Sequence, residues 1–132
     1  MNVFVYGTLR AGEINDISAV ASRHDISTPA LIGIATLAGR LYDFGTYPGL
    51  VIDSSGAPVV GEVYEIEDGL VPLLDEIERI YPGVEGLFCA REAMVAVEGT
   101  PVSCRLYPVS RKMVAGLTEI HSGDWVAYRR MR

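Results

Sequence analysis

Hydrophobic and polar positions along the chain fall into short stretches that glycines interrupt, a pattern typical of a strand-rich domain. Residues 3–6 are β-branched or aromatic and stop at Gly7, which predicts a strand that enters a turn. The remaining predicted strands cover residues 30–38 and 39–43, joined by a bulge or bend, and residues 50–52, 58–67, 88–97 and 102–109. Many short strands punctuated by glycine favour a small barrel or a strongly bent sheet.

Helical periodicity is found at two places. In residues 15–23 the apolar side chains recur at helical spacing, which predicts a short helix. Residues 68–80 carry the stronger pattern, with Asp68 or Gly69 as the cap and Pro72 in the first turn, where a missing N–H is tolerated. Because strands and helices do not alternate regularly, a doubly wound parallel sheet is disfavoured.

The 132 residues carry a formal net charge of −6, and 49% of them are hydrophobic. This length fits one domain, residues 1–132, and the apolar content is sufficient for a core. An acidic chain repels nucleic-acid phosphates and anionic membrane lipid, so neither is expected as a partner. The N-terminus lacks the features of a signal peptide, and no apolar run approaches the roughly 20 residues of a membrane span, so we expect a cytoplasmic protein.

The histidines and cysteines give little support for a metal site or a disulfide. His24 and His121 are far apart and lack close-spaced ligand partners, so no metal is expected. Cys89 and Cys104 fall on the two strands of one predicted hairpin. If its turn centres near residue 99, Cys104 lies opposite a position near Val95, which makes a bond between the two cysteines unlikely. Both are interpreted as small buried hydrophobic residues.

A candidate functional turn follows the first strand. It consists of Tyr6, Gly7, Thr8 and Leu9 and is named here the 6–9 turn. Glycine lets the backbone turn sharply and present successive N–H groups, and such groups can hold a carboxylate or a developing oxyanion. The other interpretation is an ordinary turn at the end of a strand, which is the more frequent case when such a motif stands alone.

Glu78 is the second candidate, because of its position on the predicted helix 68–80. At about 100° per residue, one apolar arc forms. Its members are Leu70, Leu73, Leu74, Ile77 and Ile80. Asp75, Glu76 and Arg79 fall on the far side, whereas Glu78 falls just beyond the edge set by Leu74. A partly desolvated carboxylate binds its proton more tightly and suits general acid/base work. The alternative is a boundary glutamate that points to water.

Several stretches, taken in order, resemble the gamma-glutamylcyclotransferase-like family, which also includes gamma-glutamylamine cyclotransferases and the butirosin-pathway cyclotransferase. The matching stretches are residues 3–10 (VFVYGTLR), with Gly12 and Asn15 at familiar spacing, 39–43 (GRLYD), 47–51 (YPGLV), 61–64 (GEVY) and 74–78 (LDEIE). Two positions depart from the family pattern. Arg79 stands where glycine is frequent and could lower the pKa of Glu78 or narrow the pocket, and residues 89–91 keep the arginine of a Tyr-x-Arg motif without its tyrosine.

The resemblance implies an α+β fold, a small mixed β-barrel with flanking helices, formed by a single gamma-glutamylcyclotransferase-like domain. It also implies a reaction without cofactor on a small-molecule gamma-glutamyl amide. The free α-amine of the substrate attacks the side-chain carbonyl, and 5-oxoproline and an amine are released. By the same resemblance Glu78 is the catalytic residue, and Tyr6, Gly7, Thr8 and Leu9 bind the substrate.

Two questions stay open at this level. The first is whether the chain is instead a non-catalytic member of the fold that binds a small metabolite or a protein partner. An intact 6–9 turn together with Glu78 favours the enzyme. The second is the amine half of the substrate, because glutathione-type peptides, gamma-glutamyl dipeptides, gamma-glutamyl lysine and gamma-glutamylated antibiotics share the same reacting end.

Overall fold

The strands close into a small barrel. The computed structural model describes residues 1–80 and 86–132 and contains six strands in that part of the chain. They are β1 (Asn2–Val5), β2 (Ala30–Asp43), β3 (Pro48–Ile52), β4 (Ala57–Glu65), β5 (Arg91–Val97) and β6 (Thr100–Leu106). Neighbours follow the order β2–β4–β1–β6–β5, and β5 pairs back onto β2, while β3 extends β2 outside the ring. Because β1 and β6 run parallel and the other pairs antiparallel, this is the predicted mixed barrel.

Two helices lie where the helical periodicity predicts them, with shifted ends, and a third lies near the C-terminal end, where no helix was predicted. They are α1 (Ile17–Arg23), α2 (Val71–Ile80), which follows a 3₁₀ turn at Asp68–Leu70, and α3 (Trp125–Met131). The predicted 15–23 helix starts late because Asp16 is its N-cap, accepting hydrogen bonds from the N–H groups of Ser18 and Ala19. Among the residues described, no helix has the length and apolar character needed to cross a bilayer.

Strand β1 serves two hydrophobic layers, because its side chains alternate between its two faces. Phe4 points into the barrel, where it belongs to the same buried cluster as Trp125. Val3 and Val5 face outward and are covered by α1 and α2. Burial of each large apolar side chain in that outer layer contributes roughly 1.5–3 kcal/mol, which fixes α2 beside the end of β1.

Two strand predictions need correction. Residues 30–43 form one continuous strand, with its irregularity between Leu31 and Gly33 and no break at Gly39. Gly39 is required for close approach, since a Cβ there would lie 2.7 Å from Cδ1 of Leu50. The last strand ends at Leu106 and not at residue 109, and Pro108, which follows, has no N–H to donate to a ladder.

The cysteines differ from their predicted environments in two respects. The hairpin turn consists of Glu98 and Gly99, both with positive φ, and its register places Cys104 opposite Ala93 and not near Val95. Cys104 is buried as predicted, but Cys89 is exposed because it lies in an irregular segment before β5, which begins at Arg91 and not at residue 88. Both thiols are free, as expected.

Candidate functional site

A cleft opens beside the end of β1. Its lining comes from β1 and the 6–9 turn, from α2, and from three other segments. The lining residues are Phe4, Val5, Tyr6, Gly7, Thr8, Leu9, Tyr47, Pro48, Glu78, Phe88 and Tyr107. The structure therefore brings the 6–9 turn and Glu78, which are distant in sequence, to one cleft, as predicted.

Tyr6 links the wall of the cleft to the barrel. Its ring is buried, its O–H donates to the carbonyl oxygen of Tyr107 at 2.8 Å, and its oxygen accepts from the N–H of Leu50 at 3.2 Å. Burial, reinforced by the nearby Glu78 carboxylate, holds the pKa of Tyr6 far above its usual value. The phenol is therefore neutral at physiological pH and acts as a fixed hydrogen-bonding group.

The backbone of the 6–9 turn is held through its carbonyl groups. Those of Gly7, Thr8 and Leu9 accept hydrogen bonds from backbone N–H groups of residues 10–17 at 2.9–3.0 Å. Within residues 1–80 and 86–132, the N–H groups of Gly7, Thr8 and Leu9 donate to no protein acceptor. Fixed N–H donors of this kind, at the wall of a cleft, are suited to bind a carboxylate or an oxyanion.

Gly7 is required by a close approach and not by an unusual backbone conformation. A Cβ atom at this position would lie 2.7 Å from Cγ and 2.9 Å from Cδ of Pro48. Gly7 is absent from the residues with positive φ, so its backbone is open to any residue type. The turn therefore packs directly on β3, which closes one side of the cleft.

Glu78 occupies the border position that the helix pattern predicts. Its side chain is half-buried and lines the cleft. Burial raises the pKa of Glu78 from an ordinary 4.5 to about 8, and repulsion by the carboxylate of Asp75, one turn earlier on α2, acts in the same direction. A carboxylic acid with a pKa near neutrality can both accept and return a proton at physiological pH.

Asp75 was predicted on the far side of α2 from the apolar arc, and its side chain is 43% exposed there, yet it contacts the end of β6. Its carboxylate accepts two hydrogen bonds from Nη2 of Arg105, at 2.8 and 2.9 Å, and one from the O–H of Tyr107 at 2.6 Å. Tyr107 in turn lines the cleft, and burial followed by the bond to Asp75 raises its pKa. Sequence reasoning missed Tyr107, since the end of β6 carries no motif that points to α2.

A buried ionic network lies behind the 6–9 turn. Nε of Arg10 donates to Glu62 at 3.0 Å, and its Nη1 donates to Asp124, the N-cap of α3, at 2.9 Å. The second carboxylate oxygen of Glu62 accepts from the N–H of Ala11 and the O–H of Tyr64. Because removing one partner of a buried pair leaves an uncompensated charge, this network fixes the turn to the barrel.

The comparison with known families decides the classification. The profile of the family described as "Gamma-glutamyl cyclotransferase, AIG2-like" matches residues 3–127. The chain belongs to this family. Its relatives include the gamma-L-glutamyl-butirosin B gamma-glutamyl cyclotransferase of Niallia circulans, 34% identical over 97% of this chain and 77% of the relative. Another is the gamma-glutamylcyclotransferase family protein YtfP of Escherichia coli K12, 32% identical over 96% of both chains.

The family fold is also seen in solved structures. A crystal structure of an AIG2-like protein from Mus musculus superimposes with a TM-score of 0.74, at 24% identity, over 91% of this chain and 85% of that chain. This likeness shows the fold, and it agrees with the closed barrel described above.

The two departures from the family pattern can now be located. Arg79 is exposed and its Nε donates to Glu76 at 3.0 Å, and the pKa of Glu78 is raised and not lowered. Arg79 is also not among the described residues that line the cleft. Cys89 and Arg91 line a different cavity from the one that contains Glu78.

Proposed function

We propose that this protein is a cyclotransferase that cleaves a gamma-glutamyl amide by intramolecular attack of its α-amine, releasing 5-oxoproline and a free amine. The single observation that carries the proposal is the meeting in one cleft of Glu78, whose pKa is raised to about 8, with the N–H groups of Gly7, Thr8 and Leu9, which donate to no acceptor among the described residues. Membership of the family described as gamma-glutamyl cyclotransferases, with a relative named as a gamma-glutamyl cyclotransferase, supports the same reaction class.

In the proposed mechanism Glu78 carries protons, one at a time, from the α-nitrogen of the substrate to the leaving nitrogen. The α-amine arrives as an ammonium group, and ionised Glu78 removes its proton. A typical α-amino pKa is about 7.7–8.0, close to that of Glu78, so this transfer costs little free energy. The amine nitrogen then bonds to the gamma-carbonyl carbon, and Glu78 returns the proton to the leaving nitrogen as the oxyanion collapses and the amide bond breaks. The ring nitrogen gives up its second proton, again through Glu78, to the released amine, which departs as an ammonium ion. No cofactor is needed, because the substrate carries its own nucleophile.

The walls of the cleft stabilise the oxyanion, hold the substrate folded and limit access of water in this mechanism. As the ring closes, the carbonyl oxygen becomes an oxyanion, and the N–H groups of Gly7, Thr8 and Leu9 are the proposed donors to it. Because the reaction is intramolecular, a pocket that holds the substrate folded pre-organises nucleophile and carbonyl. The edge-to-face pair of Tyr47 and Phe88, with ring centroids 6.0 Å apart, supplies an apolar wall that limits access of water.

A panel of gamma-glutamyl amides tests the proposal directly. We expect 5-oxoproline and free amine in equal amounts, measured by liquid chromatography with mass spectrometry. Free glutamate in place of 5-oxoproline would indicate a hydrolase. Saturable binding of these amides without any turnover would instead support the non-catalytic alternative, a small-metabolite binding protein on the same fold.

The pH dependence gives a second test that involves Asp75. We expect kcat/KM to rise with pH as Glu78 ionises, with a midpoint near 8. In Asp75→Asn the nearby negative charge is lost and Arg105 loses its partner, and both changes favour ionised Glu78. The midpoint should therefore move down, by about half a pH unit, since Asp75 is partly exposed and solvent screens its charge. A profile that is flat from pH 6 to 8, or identical in the two proteins, would contradict this role of Glu78.

A further inference from the structure

The cleft is continued by an open groove between the loop of residues 10–16 and the end of α3. Thr8 lines both cavities, and Thr46 of the groove directly precedes Tyr47 of the cleft. A molecule whose gamma-glutamyl end occupies the cleft beside Glu78 therefore has this groove next to it on the Thr8 side. The groove is an adjacent space in which the other half of such a molecule can lie.

Two ion pairs form the charged wall of the groove. Arg129 donates to both carboxylate oxygens of Glu13, from Nε at 2.9 Å and from Nη2 at 2.7 Å. Arg132 donates from Nη1 to both oxygens of Asp43, at 3.2 and 3.1 Å. Each pair is formally neutral, so formal charge alone predicts no preference for an anion or a cation.

The two partners of each pair are unequally exposed, and this difference gives the surface of the groove a positive charge. The side chain of Glu13 is only 4% exposed, whereas that of Arg129 is 41% exposed. The corresponding fractions are 16% for Asp43 and 39% for Arg132. The carboxylates therefore lie behind the guanidinium groups, and a ligand in the groove meets a cationic surface on a chain whose net charge is −6.

Both guanidinium groups are held in place and keep N–H donors for a ligand. Arg132 lies over the rings of Trp125 and Tyr128, 5.1 and 5.7 Å from their centroids, and also donates to the carbonyl oxygen of Gly45. Arg129 uses two of its five N–H donors on Glu13. A guanidinium fixed in this way loses little conformational entropy on binding, and its planar fork matches the geometry of a carboxylate.

We propose that this groove is the subsite for the amine half of the substrate and that it selects amine halves that carry a carboxylate. The protein would then prefer gamma-glutamyl amino acids and peptides over gamma-glutamyl conjugates of neutral or polycationic amines. The inference rests on the proposed function. It predicts which of the substrates that share the gamma-glutamyl end the protein prefers.

Three matched substrates test it: gamma-glutamyl-alanine, its alaninamide analogue, and a gamma-glutamyl conjugate of a linear polyamine. Wild type is expected to turn over the first with a kcat/KM about three- to tenfold higher than the second, the range expected for partly exposed charge pairs, and to use the polyamine conjugate least. Arg132→Gln should lose most of this preference through a higher KM for gamma-glutamyl-alanine, with kcat unchanged. Arg132 is preferred to Arg129 for this test, because loss of Arg129 would leave buried Glu13 unpaired.

The control variant is Arg130→Gln, which makes the same change of charge on the same helix at an exposed residue outside the groove lining. It should keep the wild-type preference. Equal use of the three substrates by wild type, an unchanged preference in Arg132→Gln, or an equal loss in Arg130→Gln would each overturn the subsite. If none of the three yields 5-oxoproline, the proposed function itself fails, and that outcome is distinct from turnover without selectivity.

Discussion

Replacing Glu78 with glutamine is expected to lower kcat by about 10²–10⁴-fold on any gamma-glutamyl amide that the wild-type protein turns over, the usual contribution of general acid/base catalysis. Glutamine keeps the size of the side chain but cannot accept the proton of the ammonium group. Substrate binding should largely persist, because the 6–9 turn is untouched. Initial rates of 5-oxoproline release measure the effect.

Glu76→Gln is the matched control, since Glu76 is exposed on the same helix and pairs with Arg79. It should retain wild-type activity, because its side chain does not line the cleft. If Glu78→Gln kept the wild-type kcat, Glu78 would be only a charged residue at the border of the helix, and the proposed acid/base role would be wrong.

The same Glu78 variant should be more stable than wild type at neutral pH. The unfolded chain ionises Glu78 above its ordinary pKa of 4.5, whereas the folded chain keeps the proton until about pH 8, so wild-type stability falls as pH rises between these values. Glutamine does not titrate, so the variant lacks this loss. The difference should grow from near zero at pH 4 to about 2 kcal/mol at pH 8, less than the full pKa shift implies because the side chain is partly solvated. Urea unfolding at pH 4, 6 and 8 measures it.

Gly7→Val is expected to reduce kcat/KM by about 10²-fold, because a displacement of the 6–9 turn by about 1 Å misplaces the N–H donors. The first added carbon would already lie 2.7 Å from the ring of Pro48, which is held in β3 by pairing with Asp43 of β2. The backbone of the turn must therefore shift. Measurement of kcat/KM together with the thermal midpoint separates misplacement from unfolding.

Two further glycine variants make that test specific. Gly69→Val adds the same side chain at a residue where a new Cβ meets nothing within 4 Å, and it should leave activity unchanged. Gly7→Ala adds only the clashing carbon and should show the loss in a folded protein. Full activity with unchanged KM in both Gly7 variants would contradict the role of the turn as a substrate cradle.

The sequence by itself determined those elements in which the pattern of apolar positions shows which face is buried. The β-branched run before Gly7 predicted the first strand, and the arc from Leu70 to Ile77 predicted α2 with Glu78 at its border. These predictions succeed because alternation and helical periodicity describe which face of an element leaves water, and that is a local property of the chain. The resemblance to the family then supplied the barrel and the pairing of Glu78 with the 6–9 turn.

Only the tertiary structure decided which polar groups meet across elements. Asp75 lies on the polar side of α2 by periodicity, yet closure of the barrel brings Arg105 and Tyr107 against it. The cationic surface of the groove likewise depends on how deeply Glu13 is buried behind Arg129 from the far end of the chain. Periodicity specifies the direction in which a side chain points from the axis of its own helix or strand. It carries no information on what a distant segment places there, and at this site those distant segments set the electrostatics.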